Sequence, residues 1–247
     1  MAIGALNNAT ILVGGFDITN FTGTIRETPG TSALYDVTTF GSGGFGTNIG
    51  GTKQGMWGFD GYSDYASTTG VSSVFNSTSP NTQYGLQIQM PSTPGATIAA
   101  GDPAQVGRGL LNRFYSKMAV NDVGRMQMDV KSDTGFAFGK VAAVLASRTT
   151  SGLTGTAVAM TGPTAAQKVY AALNVTAAAG TDLAVKIQSD DNSDFSSATD
   201  RITFSTVSAT GWQFMSLAGD LSTETHWRAV ATIASVTFTF AVAIGVA

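Results

Sequence analysis

Hydrophobic and polar residues alternate along several stretches in the first half of the chain. Alternation with a period of two places successive side chains on opposite faces of a β-strand. The pattern therefore predicts strands that each bury one face. These predicted strands cover residues 34–39, 57–60, 86–90 and 125–130.

A regular series of short apolar runs, separated by turn-rich segments, fills the second half. Such spacing favours a β-sandwich or jelly roll over alternating helices and strands. The predicted strands cover residues 169–175, 183–187, 202–207, 212–217, 227–233 and 236–246.

An uncharged stretch rich in Thr, Gly and Ala separates the two halves. Such a composition is typical of a loop or a domain boundary. We therefore expect a β domain at 1–148, a linker at 149–167 and a C-terminal β-sandwich domain at 168–247.

The C-terminal run at residues 229–247 carries no charge and is long enough to suggest a membrane span. Large apolar residues between Val236 and Val246 nevertheless alternate with Thr, Ala and Gly. A period of two indicates a strand, so we expect no membrane insertion.

One segment shows a helical pattern instead. Asp102 offers an N-cap and Pro103 occupies the first helical position, an arrangement typical of helix starts. Large apolar residues then follow at four-residue spacing, namely Val106, Leu110, Phe114 and Met118. We expect one short helix near residues 103–115.

Composition narrows the classes of function. Charged residues are 12% of the chain, about half the usual share, so we expect much of the surface to be covered by copies of the same chain. A net charge of −3 without a basic cluster disfavours tight nucleic-acid binding. The absence of Cys excludes disulfides, thiolate catalysis and Cys-based metal sites.

The stretch FGSGGFGTNIGG at residues 40–51 contains the spacing G-x-G-x-x-G of a dinucleotide-binding loop. Such a loop needs a helix directly after it, because the amide groups of the helix N-terminus bind the pyrophosphate. An aromatic strand is predicted here instead. The stretch is therefore expected to connect two strands, and we expect no cofactor.

Residues 190–194 resemble the start of a calcium loop. Asp190, Asn192 and Asp194 match its first three ligand positions, but Phe195 stands where glycine is needed. Arg201 stands where a bidentate Glu belongs. A polar turn with Asx-type hydrogen bonds is the better interpretation, so we expect no metal.

The sequence singles out no catalytic residue. His226, the only histidine, would have to serve any Ser-His-Asp triad, yet no G-x-S-x-G motif accompanies it. A carboxylate pair for glycoside hydrolysis stays open, since many Asp residues are present. Trp57, Phe59, Tyr62 and Tyr65 form an aromatic cluster that could stack on sugars, although alternation favours burial of Trp57 and Phe59.

The segment from Leu34 to Tyr65, LYDVTTFGSGGFGTNIGGTKQGMWGFDGYSDY, resembles the tail tube (major tail) proteins of long-tailed bacteriophages. In that family a strand with an Asp-x-Thr-Thr-Phe-Gly-like segment leads into a glycine-bearing loop, and a strand with an aromatic residue and a Gly-Tyr element returns. The matching residues are Asp36, Thr38, Thr39, Phe40, Gly41, Trp57, Gly61 and Tyr62. The later stretches ALNVTAAAGTDLAVKIQSDDNSDF and HWRAVATIASVTFTFAVAIG also resemble phage tail proteins with an appended β domain.

This resemblance implies a mainly β protein: a tail-tube-like β-sandwich or barrel followed by a jelly-roll-like domain. It implies a structural virion protein without enzymatic activity, whose hexameric rings stack into a tail tube. DNA would pass through that tube during ejection without specific binding. The implied partners are copies of the chain and other tail proteins, and the implied location is the virion tail, after assembly in the host cytoplasm.

The glycine-rich loop is then expected to form the subunit interface. Its small residues permit close backbone approach between neighbouring subunits. The expected interface residues are Gly41, Gly43, Gly44, Phe45, Gly46, Asn48, Gly50 and Gly51.

A different class of function stays open: a carbohydrate- or surface-binding β module of a phage decoration or fibre protein. The C-terminal strand series and its connecting loops motivate this alternative. Trp212 and Trp227 are its candidate sugar-stacking residues.

Overall fold

A computed structural model describes residues 8–36, 48–64, 71–76, 82–117, 123–149, 153–180, 182–234 and 237–247 of the chain. These residues contain fifteen β-strands and one short α-helix. The mainly β prediction is therefore confirmed. Neither sheet closes into a barrel within the described residues.

Each predicted strand overlaps an observed one. The strands of the first half are β1 (Thr10–Val13), β2 (Phe16–Asp17), β3 (Thr22–Asp36), β4 (Asn48–Tyr62), β5 (Gln83–Gln89), β6 (Pro103–Lys117) and β7 (Arg125–Arg148), with helix α1 (Val71–Asn76) between β4 and β5. Those of the second half are β8 (Leu153–Thr154), β9 (Val158–Ala159), β10 (Lys168–Ala178), β11 (Leu183–Asp190), β12 (Thr199–Thr203), β13 (Gly211–Ala218), β14 (His226–Ile233) and β15 (Phe238–Val246).

The prediction of a helix near residues 103–115 is wrong, because this segment forms strand β6. Residues four apart share a face in a strand as well as in a helix, so the spacing of Val106 and Leu110 fits both elements. Two glycines in the segment disfavour the helix. Asp102, the expected N-cap, accepts the N–H of Ala99 at 2.8 Å and closes the turn before the strand.

The chain forms two compact units. Unit 1 comprises Met1–Asn20, Gln83–Gly109 and Thr134–Ala247, and unit 2 comprises Phe21–Thr82 and Leu110–Asp133. Strands β6 and β7 contribute residues to both units. The units therefore have other boundaries than the expected domains, and the division at 149–167 stays a prediction.

Unit 1 contains a β-sandwich. One sheet has the strand order β13-β10-β15-β7-β6-β5-β1-β2, and the other has the order β12-β11-β14-β8 with β9 also on β14. Large side chains from both sheets form the core between them. Trp227, Phe238 and Phe240, for example, are at most 1% exposed.

The C-terminal apolar run begins within β14 and then forms β15, which lies inside the larger sheet of unit 1. It pairs antiparallel with β10 on one side and with β7 on the other. Val242 and Ile244 belong to the sandwich core, and Ala243 belongs to a second buried cluster on the opposite face. A strand buried on both faces is apolar throughout, which explains the composition of this run. Among the described residues, no helix has the length and apolar character needed to cross a membrane.

Unit 2 is built on the antiparallel pairs β3–β4 and β4–β7. On one face of these strands, Trp57 and Phe59 of β4 lie opposite Val130 and Met128 of β7. All four are at most 2% exposed, so the predicted burial of Trp57 and Phe59 is confirmed. The other face of the same strands carries polar and charged side chains.

Candidate assembly surface

Strands β3 and β4 form a long antiparallel hairpin in unit 2. Their register runs from Thr22↔Gly61 to Asp36↔Asn48, and each strand has fifteen residues. β4 also pairs with β7, whereas β3 pairs with β4 alone among the described strands. The outer side of β3 is therefore a sheet edge that can accept a further strand.

The hairpin flanks the glycine-rich segment, as the sequence predicted. Asn48 pairs with Asp36 and Gly50 pairs with Leu34, while Gly51 also lies in β4. The remaining expected interface residues lie outside the described residues, namely Gly41, Gly43, Gly44, Phe45 and Gly46. Contact of this loop with another subunit stays a prediction.

Four charged side chains form a row across the polar face of unit 2. Arg26 of β3 donates from Nε to Oδ2 of Asp60 at 2.6 Å and from Nη2 to Oδ1 of Asp129 at 3.1 Å. Arg113 of β6 donates from Nε to Oδ2 of Asp129 at 2.9 Å. The Asp129 side chain is only 6% exposed, so its charge depends on these two guanidinium groups. The row thereby joins β3, β4, β7 and β6.

A glycine leaves the space for this row. Gly58 of β4 lies between Arg26 and Asp129 in the strand register. A Cβ at this position would lie 2.9 Å from Cζ of Arg26 and 3.1 Å from Oδ1 of Asp129. Since such a side chain would occupy the path of the guanidinium, Gly58 permits Arg26 to reach across β4.

A groove of about 530 Å³ lies further along the same polar face. Tyr62 of β4 and Tyr115 of β6 line it with 55% and 52% of their surfaces exposed. Lys117 of β6 and Arg125 of β7 add two cations. Tyr62 and Arg125 are direct cross-strand partners. The groove thus combines aromatic rings with positive charge.

The calcium-like segment forms a turn that uses its own carboxylates. Asp190 accepts the N–H groups of Asn192 at 3.0 Å and Ser197 at 2.9 Å, and also the Ser197 hydroxyl. These bonds, with that from Asn192 the largest, lower the pKa of Asp190 to about 2. Asp194 accepts the N–H of Ser196 at 3.1 Å. Among the described residues, no three His, Cys, Asp or Glu side chains are grouped to hold a metal ion.

This turn is made without the glycine of a calcium loop. Phe195 adopts a φ of 55°, in the left-handed region that glycine occupies most readily. Its ring is only 7% exposed and lies under the guanidinium of Arg228, whose Cζ is 4.1 Å from the ring centre. Packing of the ring holds Phe195 in this uncommon conformation, so the turn is a fixed element.

The histidine shows no catalytic arrangement in the described part of the chain. Nδ1 of His226 lies 2.9 Å from the hydroxyl of its neighbour Thr225. That hydroxyl also donates to the carbonyl of Asp191 at 2.7 Å. The contact ties the start of β14 to the polar turn.

The tryptophans proposed for sugar stacking are not free platforms. Trp227 is fully buried in the core of unit 1. Trp212 covers Gly85, where an added Cβ would lie 2.5 Å from the indole ring. Of the aromatic cluster, Tyr65 lies outside the described residues, which leaves Tyr62 as the exposed member.

Sequence reasoning missed the groove as a site. Its four principal residues come from three strands, of which β4 is distant along the chain from β6 and β7, and only Tyr62 belonged to a recognised cluster. Once strands are assigned, Tyr115 and Lys117 share a face because they are two residues apart. Strand pairing is needed to bring Arg125 beside Tyr62.

No family model and no curated protein sequence matches the chain. Solved structures of low identity do match. A chain of the sheath–tube complex of the extracellular contractile injection system PVC shares 11% identity at a TM-score of 0.41, over 56% of this chain and 92% of its own. A chain of the virion of a native gene transfer agent shares 13% identity at a TM-score of 0.34, over 52% and 94%.

The Dit protein of phage SPP1, described as part of a hub adsorption apparatus, shares 12% identity at a TM-score of 0.37. That match covers 97% of this chain and 99% of the Dit chain. The structural neighbours are thus components of injection, gene-transfer and phage adsorption particles. Likeness at this level assigns no function by itself.

Proposed function

We propose that this chain is a structural, non-enzymatic subunit of a phage-type tail. Its copies form hexameric rings that stack into a tail tube, as the resemblance of residues 34–65 implies. The observation that carries the proposal is the open edge of β3. An edge of this length that pairs with no other described strand is a ready site for pairing with another chain.

The hairpin is suited to such pairing. Backbone pairing with β4 runs along β3, and Arg26 of β3 is also bonded to Asp60 of β4 and Asp129 of β7, so β3 is held in place before a second subunit arrives. Pro29 lies within β3 at a shift of register between Thr28 and Thr31, and proline, which has no N–H to donate, is tolerated on edge strands and at such irregularities. A preformed edge reduces the ordering cost of assembly.

The charge of the chain suits a conduit for DNA. With a net charge of −3 and no basic cluster, the subunit should repel phosphates on average rather than hold them. DNA would therefore pass through the tube without specific binding. The further partners are other tail proteins, and the location is the virion tail after assembly in the host cytoplasm. The loop from Gly41 to Gly51 contributes contacts between neighbouring subunits.

The alternative of a carbohydrate-binding module has less support. Three of its candidate aromatic residues, Trp57, Phe59 and Trp227, are at most 2% exposed. A sugar needs an accessible aromatic face, and burial removes these three candidates, whereas Tyr62 is 55% exposed.

Electron microscopy of the purified chain, together with native mass measurement, tests the proposal. We expect closed rings with a central channel, and short hollow tubes at higher protein concentration. Single rings that never stack would favour a hub subunit over a tube subunit. A chain that stays monomeric at roughly 100 μM, where even weak specific interfaces form, would contradict the proposal.

A further inference from the structure

The groove of unit 2 offers positive charge that nothing in the described residues neutralises. Arg26, Arg113, Lys186 and Arg201 all form ion pairs. Lys117 and Arg125, by contrast, have no carboxylate partner among the described residues. The carboxylate in the groove, Asp60, is already held by Arg26 at 2.6 Å.

The two tyrosines define the kind of occupant. Tyr62 and Tyr115 present more than half of their surfaces, and their rings offer apolar area beside the cations. A bare inorganic anion would leave this aromatic area unused. The groove therefore fits a polypeptide segment that carries carboxylates, with the tyrosine hydroxyls able to donate further hydrogen bonds.

The turn after β11 supplies such a segment. Asp191 and Asp194 are exposed and three residues apart, and the hydrogen bonds of their carboxylates come from within the turn. The turn is rigid, because Asp190 accepts several bonds within it and Phe195 is packed under Arg228. A side-chain hydrogen bond with Asp190, followed by burial and by the charge of Asp190, raises the pKa of Asp191, so the two carboxyl groups crowd each other. A cation from another molecule would relieve that crowding.

We infer that the acidic turn with Asp191 and Asp194 of one copy binds in the groove with Lys117 and Arg125 of the next copy. This inference rests on the proposed self-assembly and names one of its contacts. The two surfaces differ, so the contact is heterologous. Heterologous contacts produce closed rings when the rotation between copies closes, which suits a ring-forming subunit.

Charge reversal on each side separately provides the first test. Variant A carries Lys117→Glu and Arg125→Glu, and variant B carries Asp191→Lys and Asp194→Lys. Each alone should raise the concentration for half-assembly at least about tenfold, because two attractive pairs become repulsive. A control with Lys131→Glu and Lys168→Glu makes the same charge change as variant A at exposed positions outside the groove, and should assemble like the wild type.

An equimolar mixture of A and B provides the second test. In a ring in which A and B alternate, the native turn of A meets the native groove of B, and the reversed turn of B meets the reversed groove of A. Every contact therefore joins opposite charges and is attractive. The mixture should therefore form rings at the wild-type concentration, and so should one chain that carries all four substitutions. A mixture that fails while the fourfold variant assembles would overturn the inference, since the contact would then not join two copies.

Several outcomes separate this inference from the proposed function. Wild-type rings combined with unimpaired assembly of A and B would overturn the inference and leave the ring function intact. A monomeric wild type would overturn both. Circular dichroism verifies folding. The milder pair Lys117→Gln and Arg125→Gln replaces variant A if A unfolds, and the pair Asp191→Asn and Asp194→Asn replaces variant B if B unfolds. A neutral glycan or an oligonucleotide that binds in the groove, with A assembling normally, would also overturn it.

Discussion

At the scale of single residues, the absence of a side chain at Gly58 leaves the space in which Arg26 reaches Asp129 on the polar face of unit 2. Arg26 and Arg113 are 39% and 51% exposed, so solvent screens their attraction to the carboxylates. The Asp129 carboxylate is only 6% exposed, so water cannot solvate its charge and protein groups must do so. The row therefore stabilises unit 2 mainly by neutralising the buried negative charge of Asp129. Gly58 contributes because it leaves space for one of the two cations, Arg26, to reach that carboxylate.

Replacing Gly58 by Ala should lower the free energy of unfolding by about 1–2 kcal/mol, because the new Cβ displaces Arg26 from Asp129. Urea denaturation followed by tryptophan fluorescence measures the change. Gly23→Ala in β3 is the matched control, since a Cβ there meets only the Asp60 carbonyl at 3.7 Å. Equal losses in the two variants would contradict the role given to Gly58.

The carboxylate of Asp190 should make stability depend on pH in the acidic range. Its pKa lies near 2 in the folded chain against an ordinary 3.8, with the Asn192 N–H as the largest cause. The ionised form is therefore favoured by folding. Its contribution is complete above the ordinary pKa and disappears as the pH falls towards about 2.

Asp190→Asn should consequently lower the free energy of unfolding at neutral pH. The difference from the wild type should shrink as the pH falls from about 5 to about 2, because the wild type then loses the same charge. Denaturation curves over this range measure the difference. Asp194→Asn, which changes an exposed carboxylate with one local bond, serves as control. A constant difference across the range would refute the explanation.

At the scale of elements, the pairing of β7 with β15 is irregular, with register shifts on both sides of Val242. Arg148 supplies donors at this irregularity. Its guanidinium donates to the carbonyls of Ala146 at 3.1 Å, Phe240 at 2.8 Å and Val144 at 2.7 Å. It also lies 4.5 Å from the centre of the Phe240 ring. Burial lowers the pKa of Arg148, a cost that these contacts offset.

Arg148→Met should lower the free energy of unfolding by about 2–3 kcal/mol, because three partly buried carbonyls lose their donor while the apolar stem is kept. Thermal or urea denaturation measures the loss. Lys168→Met makes a similar change at an exposed position of β10 and should alter stability little. A loss of the same size in both variants would show that the carbonyl contacts do not matter.

The strands could be predicted from the sequence because many bury one face, as in β4 and the first part of β7. Segment 103–115 could not be assigned correctly, since apolar residues four apart satisfy a helix and a strand alike. The choice of neighbouring strand in each sheet could not be predicted from the sequence either. β10 pairs with β13 and β15, and nothing in the spacing of their residues selects these neighbours.

At the scale of the whole molecule, function was less predictable than fold. A metal site or a catalytic triad has a chemical signature, whereas an assembly surface consists of ordinary side chains brought together by strand pairing. Tyr62 and Arg125 become neighbours only through the β4–β7 register. The tail-tube hypothesis therefore came from resemblance, and its expected interface from Gly41 to Gly46 lies outside the described residues.

The position of β15 has a consequence for the timing of synthesis. This strand lies between β10 and β7, yet it follows both of them along the chain by tens of residues. A ribosome adds roughly 5–20 residues per second. The edges of β7 and β10 that pair with β15 therefore stay without this partner strand for several seconds after they are synthesised. Until residues 238–246 emerge, the larger sheet of unit 1 cannot be completed. Translation of this segment therefore sets the earliest moment at which a finished subunit can meet another.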